Sequence, residues 1–276
     1  MASRDFAKLK KGLDLCVFKK DSDPRSASIA YSDSGKEYLA GSVEPDTKIL
    51  MVPSEQVALI LSVVNMDYDV NKIETVVLNN KDSSISPVVL KIIADHSLRT
   101  GRKISCEVFD IEGKSIFSTD DVRKSISFYN PKENILAKVN SKIVPSTNKS
   151  ILSGDINKEL KKCAIEGFDR NFLTRDNASG YASAVLTKNG AIYSAGQYSG
   201  PDKLGTHSEV NAIISAIMDE NSEITHLGVV SSKYPDTPVP MCGSCRQFLA
   251  EMSSKYNLNV KIITFARDND KFEETE

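Results

Sequence analysis

The feature that most constrains the fold of this 276-residue chain is an internal repeat. Three short landmarks return in the same order 154–156 positions later (209−55, 196−41 and 247−91): Ser54-Glu55 as Ser208-Glu209, Ala40-Gly41 as Ala195-Gly196, and LKIIAD (90–95) as RQFLAE (246–251). Any two α/β segments look somewhat alike after a generous alignment, but paired landmarks at offsets that differ by only two residues favour a duplication. We therefore expect two copies of one domain in tandem.

The spacing of apolar residues predicts the same order of elements, α-β-β-α-β-α-β, in each copy. In the second copy the predicted elements are, in order, a helix over 155–172, two strands around Asn189-Gly190, a helix over about 207–220, the strand ITHLGVVSS, a helix from near Cys242 and the strand VKIITFA. The first copy has two strands around Ser34-Gly35, helices in VPSEQVALILSVV and SPVVLKIIADHS, and strands in IETVVLNN and KISCEVFD. This alternation predicts an α/β fold.

The copies are separated by a segment of different composition. Residues 126–150 contain Pro131, Pro145 and many small polar residues, which is typical of a connection between domains. We predict that the first copy occupies residues 1–125, the linker 126–150 and the second copy 151–276.

Composition narrows the classes of partner. The chain is 40% hydrophobic and 26% charged, enough to form a core and a hydrated surface, and its net charge is −2. A nucleic-acid-binding protein needs a basic stripe to neutralise phosphates, so we expect no nucleic-acid partner.

No run approaches the roughly 18 apolar residues of a membrane span, and MASRDFAKLKKGLDL has no apolar signal region. We expect a cytoplasmic protein without a membrane partner.

The five cysteines fall into two groups. Cys16, Cys106 and Cys163 are scattered through apolar or amphipathic segments, and we expect them to be small buried hydrophobic residues. Cys242 and Cys245 form C-x-x-C, which in a reducing compartment usually indicates metal or redox chemistry.

The second copy joins this C-x-x-C to a histidine and a glutamate. His207 and Glu209 form H-x-E at one predicted helix start, and Cys242 and Cys245 follow at another. A catalytic zinc takes three protein ligands and keeps its fourth tetrahedral position for water, whose pKa it lowers to about 7. Residues i and i+3 share a helix face, and the helix N-terminus favours thiolates. We predict zinc as the cofactor, with Glu209 as an acid–base that does not bind the metal.

Each of these residues alone has an ordinary explanation. His207 could simply begin a helix, Glu209 could be a first-turn acid favoured by the helix dipole, and the cysteines could be a redox pair. A structural zinc site would need a fourth ligand, and the remaining candidates are Cys163, His226 and residues of the first copy. The combination favours a catalytic site.

These residues resemble the signature of the cytidine deaminase family, H-x-E followed by P-C-x-x-C. The match consists of H-S-E at 207–209 and C-G-S-C-R-Q-F-L at 242–249, and the resemblance covers roughly residues 157–267. It implies two tandem α-β-α sandwich domains, each with a mixed, roughly five-stranded sheet flanked by helices. It also implies zinc bound by His207, Cys242 and Cys245, proton transfer by Glu209, and Arg246 beside the thiolates to offset their charge.

Two departures from the family pattern concern the substrate and the loop before the cysteines. Met241 stands where the signature has proline. The family typically has N-x-E after the second strand to hold the ribose hydroxyls, and here AGQYSG puts Gln197 and Ser199 at those positions. Gln197 keeps an amide, whereas Ser199 lacks the carboxylate that anchors a sugar strongly. We predict that both residues bind the substrate, and the sugar or the whole substrate is left open.

The first copy lacks the ligands. Pro53 replaces the histidine, Ser86 and Val89 replace the cysteines, and Glu55 remains. We therefore predict a degenerate, non-catalytic deaminase-like domain at 1–125 and a catalytic zinc deaminase domain at 151–276. Some bacterial cytidine deaminases combine a catalytic and a degenerate copy in one chain and dimerise, so the resemblance implies a homodimer, although in those the catalytic copy comes first.

The resulting hypothesis is zinc-dependent hydrolysis of cytidine or deoxycytidine to the uridine product and ammonia, with a small nucleoside as the partner molecule. A deaminase of a different amine-bearing heterocycle or modified nucleoside is the nearest alternative. A non-enzymatic protein with a structural zinc site that binds a partner, and a polynucleotide-editing enzyme, are the more distant ones. The absence of tryptophan and the acidic balance argue against polynucleotide editing.

Overall fold

The computed structural model describes residues 6–17, 25–78, 85–126, 145–173, 180–201 and 204–275. The chain divides into two compact units, of which the first comprises Met1–Ser62, Asp67–Val144 and Gly200–Leu204, and the second comprises Val63–Met66, Pro145–Ser199 and Gly205–Glu276. Most of the predicted linker, residues 127–144, lies outside the described residues.

The first unit is a five-stranded mixed sheet with helices. Its elements are α1 (Phe6–Lys11), β1 (Ser26–Ser32), β2 (Glu37–Gly41), α2 (Ser54–Val64), β3 (Val70–Val77), α3 (Pro87–Thr100), β4 (Ser105–Phe109) and β5 (Ser115–Thr119). The strand order is β2-β1-β3-β4-β5. Strands β3 and β4 are parallel and α3 connects them, because parallel neighbours need a crossover; the other pairs are antiparallel.

The second unit repeats this succession and adds one strand. Its elements are β6 (Lys149–Ile151), α4 (Ile156–Glu166), β7 (Tyr181–Thr187), β8 (Ala191–Gly196), α5 (Ser208–Met218), β9 (Ile224–Ser231), α6 (Gly243–Tyr256), β10 (Lys261–Phe265) and β11 (Phe272–Thr275). The strand order is β11-β10-β9-β7-β8-β6. Apart from β6 at the edge, this is the order of the first sheet, and β9 and β10 form the parallel pair.

The two sheets also agree in register. Ala27 pairs with Gly41 in the first β-hairpin, and Ala182 pairs with Gly196 in the second, an offset of 155 residues for both partners. The side-chain period of a strand is two, so a slip of one residue in either hairpin would exchange its buried and exposed faces. The prediction of two mixed, helix-flanked α/β sheets of about five strands is confirmed.

Close backbone packing explains two of the repeated glycines. A Cβ atom added to Gly41 would lie 2.6 Å from the backbone nitrogen of Cys16, and one added to Gly196 would lie 2.5 Å from the carbonyl carbon of Arg170. Only a residue without a side chain allows this approach. The Ala-Gly landmark of the sequence is therefore the point where each hairpin meets the segment that follows the first helix.

One hydrophobic cluster of each unit lies between its first helix and its sheet. The first unit packs Leu9 against buried side chains of β1, β3 and β4, and the second packs Leu160 against β7–β10. Cys16, Cys106 and Cys163 are buried and free, as predicted. Within the described ranges, no helix is long and apolar enough to cross a bilayer.

The elements differ from the predictions mainly at their ends. The helix predicted over 155–172 ends at Glu166 and continues as a 3-10 turn over Gly167–Arg170. Lys149 and Ser150, predicted as part of the linker, belong to strand β6. The edge strands β5, β6 and β11 have no buried side chain, because β6 and β11 are exposed throughout and β5 is partly exposed, so no hydrophobic alternation marked them in the sequence.

Candidate metal and active site

Two helices of the second unit begin at the predicted metal ligands. His207 is the N-cap residue of α5, in extended conformation. Cys242 is the N-cap of α6, and its sulfur accepts a hydrogen bond from the backbone N–H of Cys245 at 3.4 Å. A helix N-terminus carries free N–H groups and a partial positive charge, which favour a thiolate over a thiol.

The structure brings the three predicted ligand atoms together. The Nδ1 atom of His207 lies 3.3 Å from the Sγ atom of Cys242 and 3.3 Å from that of Cys245, and the two sulfurs are 3.3 Å apart. Zn–S bonds of about 2.3 Å and Zn–N bonds of about 2.0–2.1 Å separate tetrahedral ligand atoms by roughly 3.6–3.8 Å. A modest opening of the triangle would accommodate the ion, so these residues fit zinc.

Burial and charge in the site also suit a cation. Cys245 is 1% exposed, whereas His207 and Cys242 are exposed. Solvent can therefore reach the group from the side of His207 and Cys242, and the protein covers it on the side of Cys245. Burial, and after it the charge of Glu209 and the neighbouring Cys242, raise the pKa of the Cys245 thiol. A thiolate held in this position therefore needs a positive charge beside it, which a divalent metal provides.

Glu209 lies in the first turn of α5, two residues after His207. Its side chain is buried, with 3% of the residue exposed, and accepts a hydrogen bond from the hydroxyl of Ser208 at 3.2 Å. That hydroxyl also lies 2.8 Å from the hydroxyl of Ser183 on β7. The carboxylate is close enough to Cys245 to contribute to the shift of its pKa. A buried carboxylate at the edge of the ligand group can exchange a proton with a molecule bound there.

Gln197 and Ser199 lie just beyond the end of β8. The backbone N–H of Gln197 donates to Oδ1 of Asn171 at 2.7 Å, and the carbonyl of Phe172 accepts from the N–H of Ser199 at 2.8 Å. Between them, Tyr198 is 1% exposed and stacks on Phe172 with ring centroids 5.2 Å apart. Alternation along extended backbone puts Gln197 and Ser199 on the face opposite Tyr198, and both are half-buried.

This segment is tied to the approach to the metal ligands. Tyr198 and Thr206 form an antiparallel bridge with hydrogen bonds of 3.0 and 2.7 Å, and Thr206 directly precedes His207. The two predicted substrate residues therefore lie on the strand-like segment beside the one that leads into the site. That they bind substrate stays a prediction.

Arg246 lies in the first turn of α6 and is exposed. Its backbone N–H donates to the carbonyl of Cys242 at 3.1 Å as part of the helix. That the Arg246 side chain offsets the charges of the two thiolates stays a prediction.

The sequence reasoning did not identify Asn171, Phe172, Thr206 and Asn211, which hold the segments around the site. Asn211 is wholly buried in α5, and the signal in the sequence would have been an asparagine among the apolar residues of SEVNAIISAIM.

The first unit keeps the framework of the site without its ligands. Ser86 caps α3 by accepting the N–H of Val88 at 3.3 Å, and Val89 is buried. Over the part of the chain that the structure describes, the group of His, Cys, Asp or Glu side chains suited to a metal is the one formed by His207, Cys242 and Cys245.

Comparisons with known proteins return distant structural likenesses. No protein-family model matches the chain, and no curated protein does. Among solved structures, cytidine deaminase from Burkholderia pseudomallei is 18% identical with a TM-score of 0.39, covering 44% of this chain and 92% of its own. Cytidine deaminase from Mycobacterium leprae is also 18% identical, with a TM-score of 0.34 and coverages of 43% and 94%.

A mutant cytidine deaminase from Mycobacterium tuberculosis is 17% identical, with a TM-score of 0.34, and the match covers 40% of this chain and 85% of that one. These likenesses each extend over less than half of this chain. At such TM-scores they carry no argument about activity, which has to come from the residues of the site.

Proposed function

We propose that the second copy catalyses zinc-dependent hydrolytic deamination of a cytosine nucleoside, cytidine or deoxycytidine. The observation that carries the proposal is the convergence of Nδ1 of His207 with the two cysteine sulfurs at 3.3 Å, beside the buried carboxylate of Glu209. One imidazole and two thiolates form the ligand set of a catalytic zinc with one open position.

His207, Cys242 and Cys245 would hold the metal. When bound, zinc would supply Lewis-acid chemistry that lowers the pKa of a coordinated water to about 7. The exposure of His207 and Cys242 supports the entry of water and substrate from the solvent side, and the burial of Cys245 supports a rigid attachment on the protein side.

Glu209 would carry the protons of the reaction. Hydrolysis adds water to the ring carbon that bears the amine and releases ammonia, so one proton must reach the ring nitrogen and another the leaving amine. A buried carboxylate that is oriented by the Ser208 hydroxyl can take a proton from water and deliver it at a fixed place. Its burial also keeps competing water away from this transfer.

A deaminase acting on a different amine-bearing heterocycle is the second candidate. It is favoured by Gln197 and Ser199, which present an amide and a hydroxyl on one face of the segment after β8. Neither can replace the negative charge with which a carboxylate would hold two sugar hydroxyls. This candidate uses the same metal and the same acid–base, Glu209, as the first, and the two candidates differ only in the substrate that the site recognises.

A structural zinc site would require a fourth protein ligand. The described group has three members whose ligand atoms all lie within 4.8 Å of one another, which supports the open, catalytic type.

We also propose a homodimer located in the cytoplasm, with a small molecule rather than a nucleic acid or a membrane as partner. Light scattering on the purified chain and a salt titration with single-stranded DNA would test the assembly and the partner.

Metal analysis combined with ammonia release tests the proposed function. We expect about one zinc per chain in the wild type and almost none in Cys242→Ser, because a neutral hydroxyl is a poor zinc ligand. Cys163→Ser, which changes a buried cysteine of α4, is the matched control and should retain the metal.

Ammonia release is measured on cytidine, deoxycytidine and a panel of other amine-bearing heterocycles. High activity on cytidine supports the first candidate, and activity confined to another heterocycle supports the second. A zinc-containing chain with no turnover on any of them would contradict both.

A further inference from the structure

A side-chain clamp joins three segments around the candidate site. Asn211, wholly buried in α5, accepts a hydrogen bond at Oδ1 from the hydroxyl of Thr206 at 2.5 Å. Its Nδ2 atom donates to the backbone carbonyl of Gly196 at 2.8 Å. We call Asn211, Thr206 and the Gly196 carbonyl the Asn211 clamp. The side-chain amide of Asn211, in the helix that follows His207, thus contacts Thr206, which precedes His207, and Gly196, which precedes Gln197.

The clamp adds to a backbone ladder that already links two of these segments. Tyr198 and Thr206 exchange both of their backbone hydrogen bonds, at 3.0 and 2.7 Å. The N–H of Asn211 in turn donates to the carbonyl of His207 at 3.1 Å. His207 therefore lies between a fixed Thr206 and a fixed first helical turn. The imidazole itself contacts the two cysteine sulfurs at 3.3 Å, so the backbone on either side of His207 sets how its side chain can reach them.

The first copy has the same ladder without the clamp. Val43 and Val52 exchange hydrogen bonds of 2.9 and 2.8 Å, and they occupy the positions of Tyr198 and Thr206. Val57 stands at the position of Asn211, 154 residues earlier (211−57), and is wholly buried.

The fold of the repeat is thus compatible with apolar side chains at both clamp positions. The polar clamp accompanies the copy that has the metal ligands, and folding does not demand it.

We propose that Asn211 and Thr206 are positioning residues that hold the metal ligand His207 and the Gln197–Ser199 segment in a fixed relation. The inference rests on the proposed function, since it assumes that His207 binds metal. A buried amide that is hydrogen-bonded at both Oδ1 and Nδ2 is held rigidly, and groups that orient a metal ligand typically contribute about 10–100-fold to metal affinity or activity. Neither residue would touch the reacting atoms.

Zinc affinity of the folded chain tests the proposal independently of turnover. Thr206→Val removes one hydroxyl at constant shape, and Asn211→Val introduces the side chain that the first copy uses. We expect zinc dissociation constants, measured by competition with a chromophoric chelator at fixed pH, to rise by about 10–100-fold in Asn211→Val and by less in Thr206→Val. Thr206→Ser, which keeps the hydroxyl, should restore the wild-type constant.

Thr187→Val is the matched control. Thr187 is buried on β7 and donates its hydroxyl to the carbonyl of Ala191 at 2.9 Å, in the hairpin and outside the clamp. It should lose stability with an unchanged zinc constant, whereas a purely structural role of the clamp would make Thr206→Val behave in the same way. That outcome overturns the proposal even if Asn211→Val fails to fold. A wild-type chain that binds no zinc would instead overturn the proposed function, and with it this inference.

Discussion

The N-termini of α2 and α5 share a serine and a buried glutamate and differ in the residue that precedes them. In the first copy Pro53 precedes Ser54 and Glu55, and in the second His207 precedes Ser208 and Glu209. Both serines pair with a serine of the neighbouring strand, Ser28 at 2.7 Å and Ser183 at 2.8 Å. Both glutamates are buried. The serine pair and the buried acid therefore belong to both copies, and the candidate metal ligands are present in the second copy only.

The starts of α3 and α6 differ in the same way. Ser86 caps α3 through its hydroxyl and Cys242 caps α6 through its sulfur, so the capping contact is present with either residue. Serine is among the preferred N-cap residues, and its presence in place of a cysteine keeps the helix start. Val89 fills the buried position of Cys245 with an apolar side chain. The comparison shows that the two candidate ligands of α6 have a serine and a valine at their positions in α3, with the same helix at both places.

The largest effect that separates the copies should come from their glutamates. Glu209→Gln should reduce deamination by about 10²–10⁴-fold, because the amide cannot exchange protons, while zinc stays bound. Glu55→Gln should leave turnover within about twofold of the wild type. Steady-state ammonia release and metal analysis of both variants measure this. Equal losses in the two variants would mean that the copies do not divide the chemistry as proposed.

A smaller effect should be shared by both copies. Gly41→Ala and Gly196→Ala each place a methyl group 2.5–2.6 Å from backbone atoms, so each should destabilise the protein by about 1–3 kcal/mol or more. Gly154→Ala, where the nearest atom would be 3.8 Å away, is the control and should change little. Urea unfolding followed by circular dichroism gives the free energies. A tolerated Gly41→Ala beside a damaging Gly196→Ala would contradict the equivalence of the two hairpins.

The smallest effect concerns pH and the first copy. Burial raises the pKa of Glu55, against the hydrogen bonds from Thr75 and Ser54. The folded state then holds this proton more tightly than the unfolded state. Its stabilising contribution is complete below the unfolded pKa and is lost as pH rises through the folded value. Glu55→Gln cannot ionise, so its stability relative to the wild type should increase with pH.

Urea midpoints between pH 5 and pH 8 measure this difference. Glu273→Gln, on the exposed strand β11, is the control and should show no such trend. A pH-independent difference for Glu55→Gln would mean that Glu55 ionises normally in the fold.

The helices and the repeat could be predicted from sequence because their signals are local. The starts of α5 and α6 follow from H-S-E and C-G-S-C at turn-like positions, and both helices begin there in the structure. The offset of 154–156 residues in the sequence returns as the hairpin register. Strands β5, β6 and β11 were missed, because a short edge strand without buried side chains has no apolar alternation.

From the sequence alone one can read the reactive residues at the helix starts: a glutamate in each copy, and a histidine and two cysteines in the second copy only. Residue type and spacing suffice for that, because a helix start brings near neighbours in sequence to one side. The contacts of His207 with two sulfurs 35 and 38 residues away, and of Asn211 with Thr206 and Gly196, become visible only in the folded chain. Those contacts join different elements, whose mutual position depends on sheet order and core packing across the whole unit.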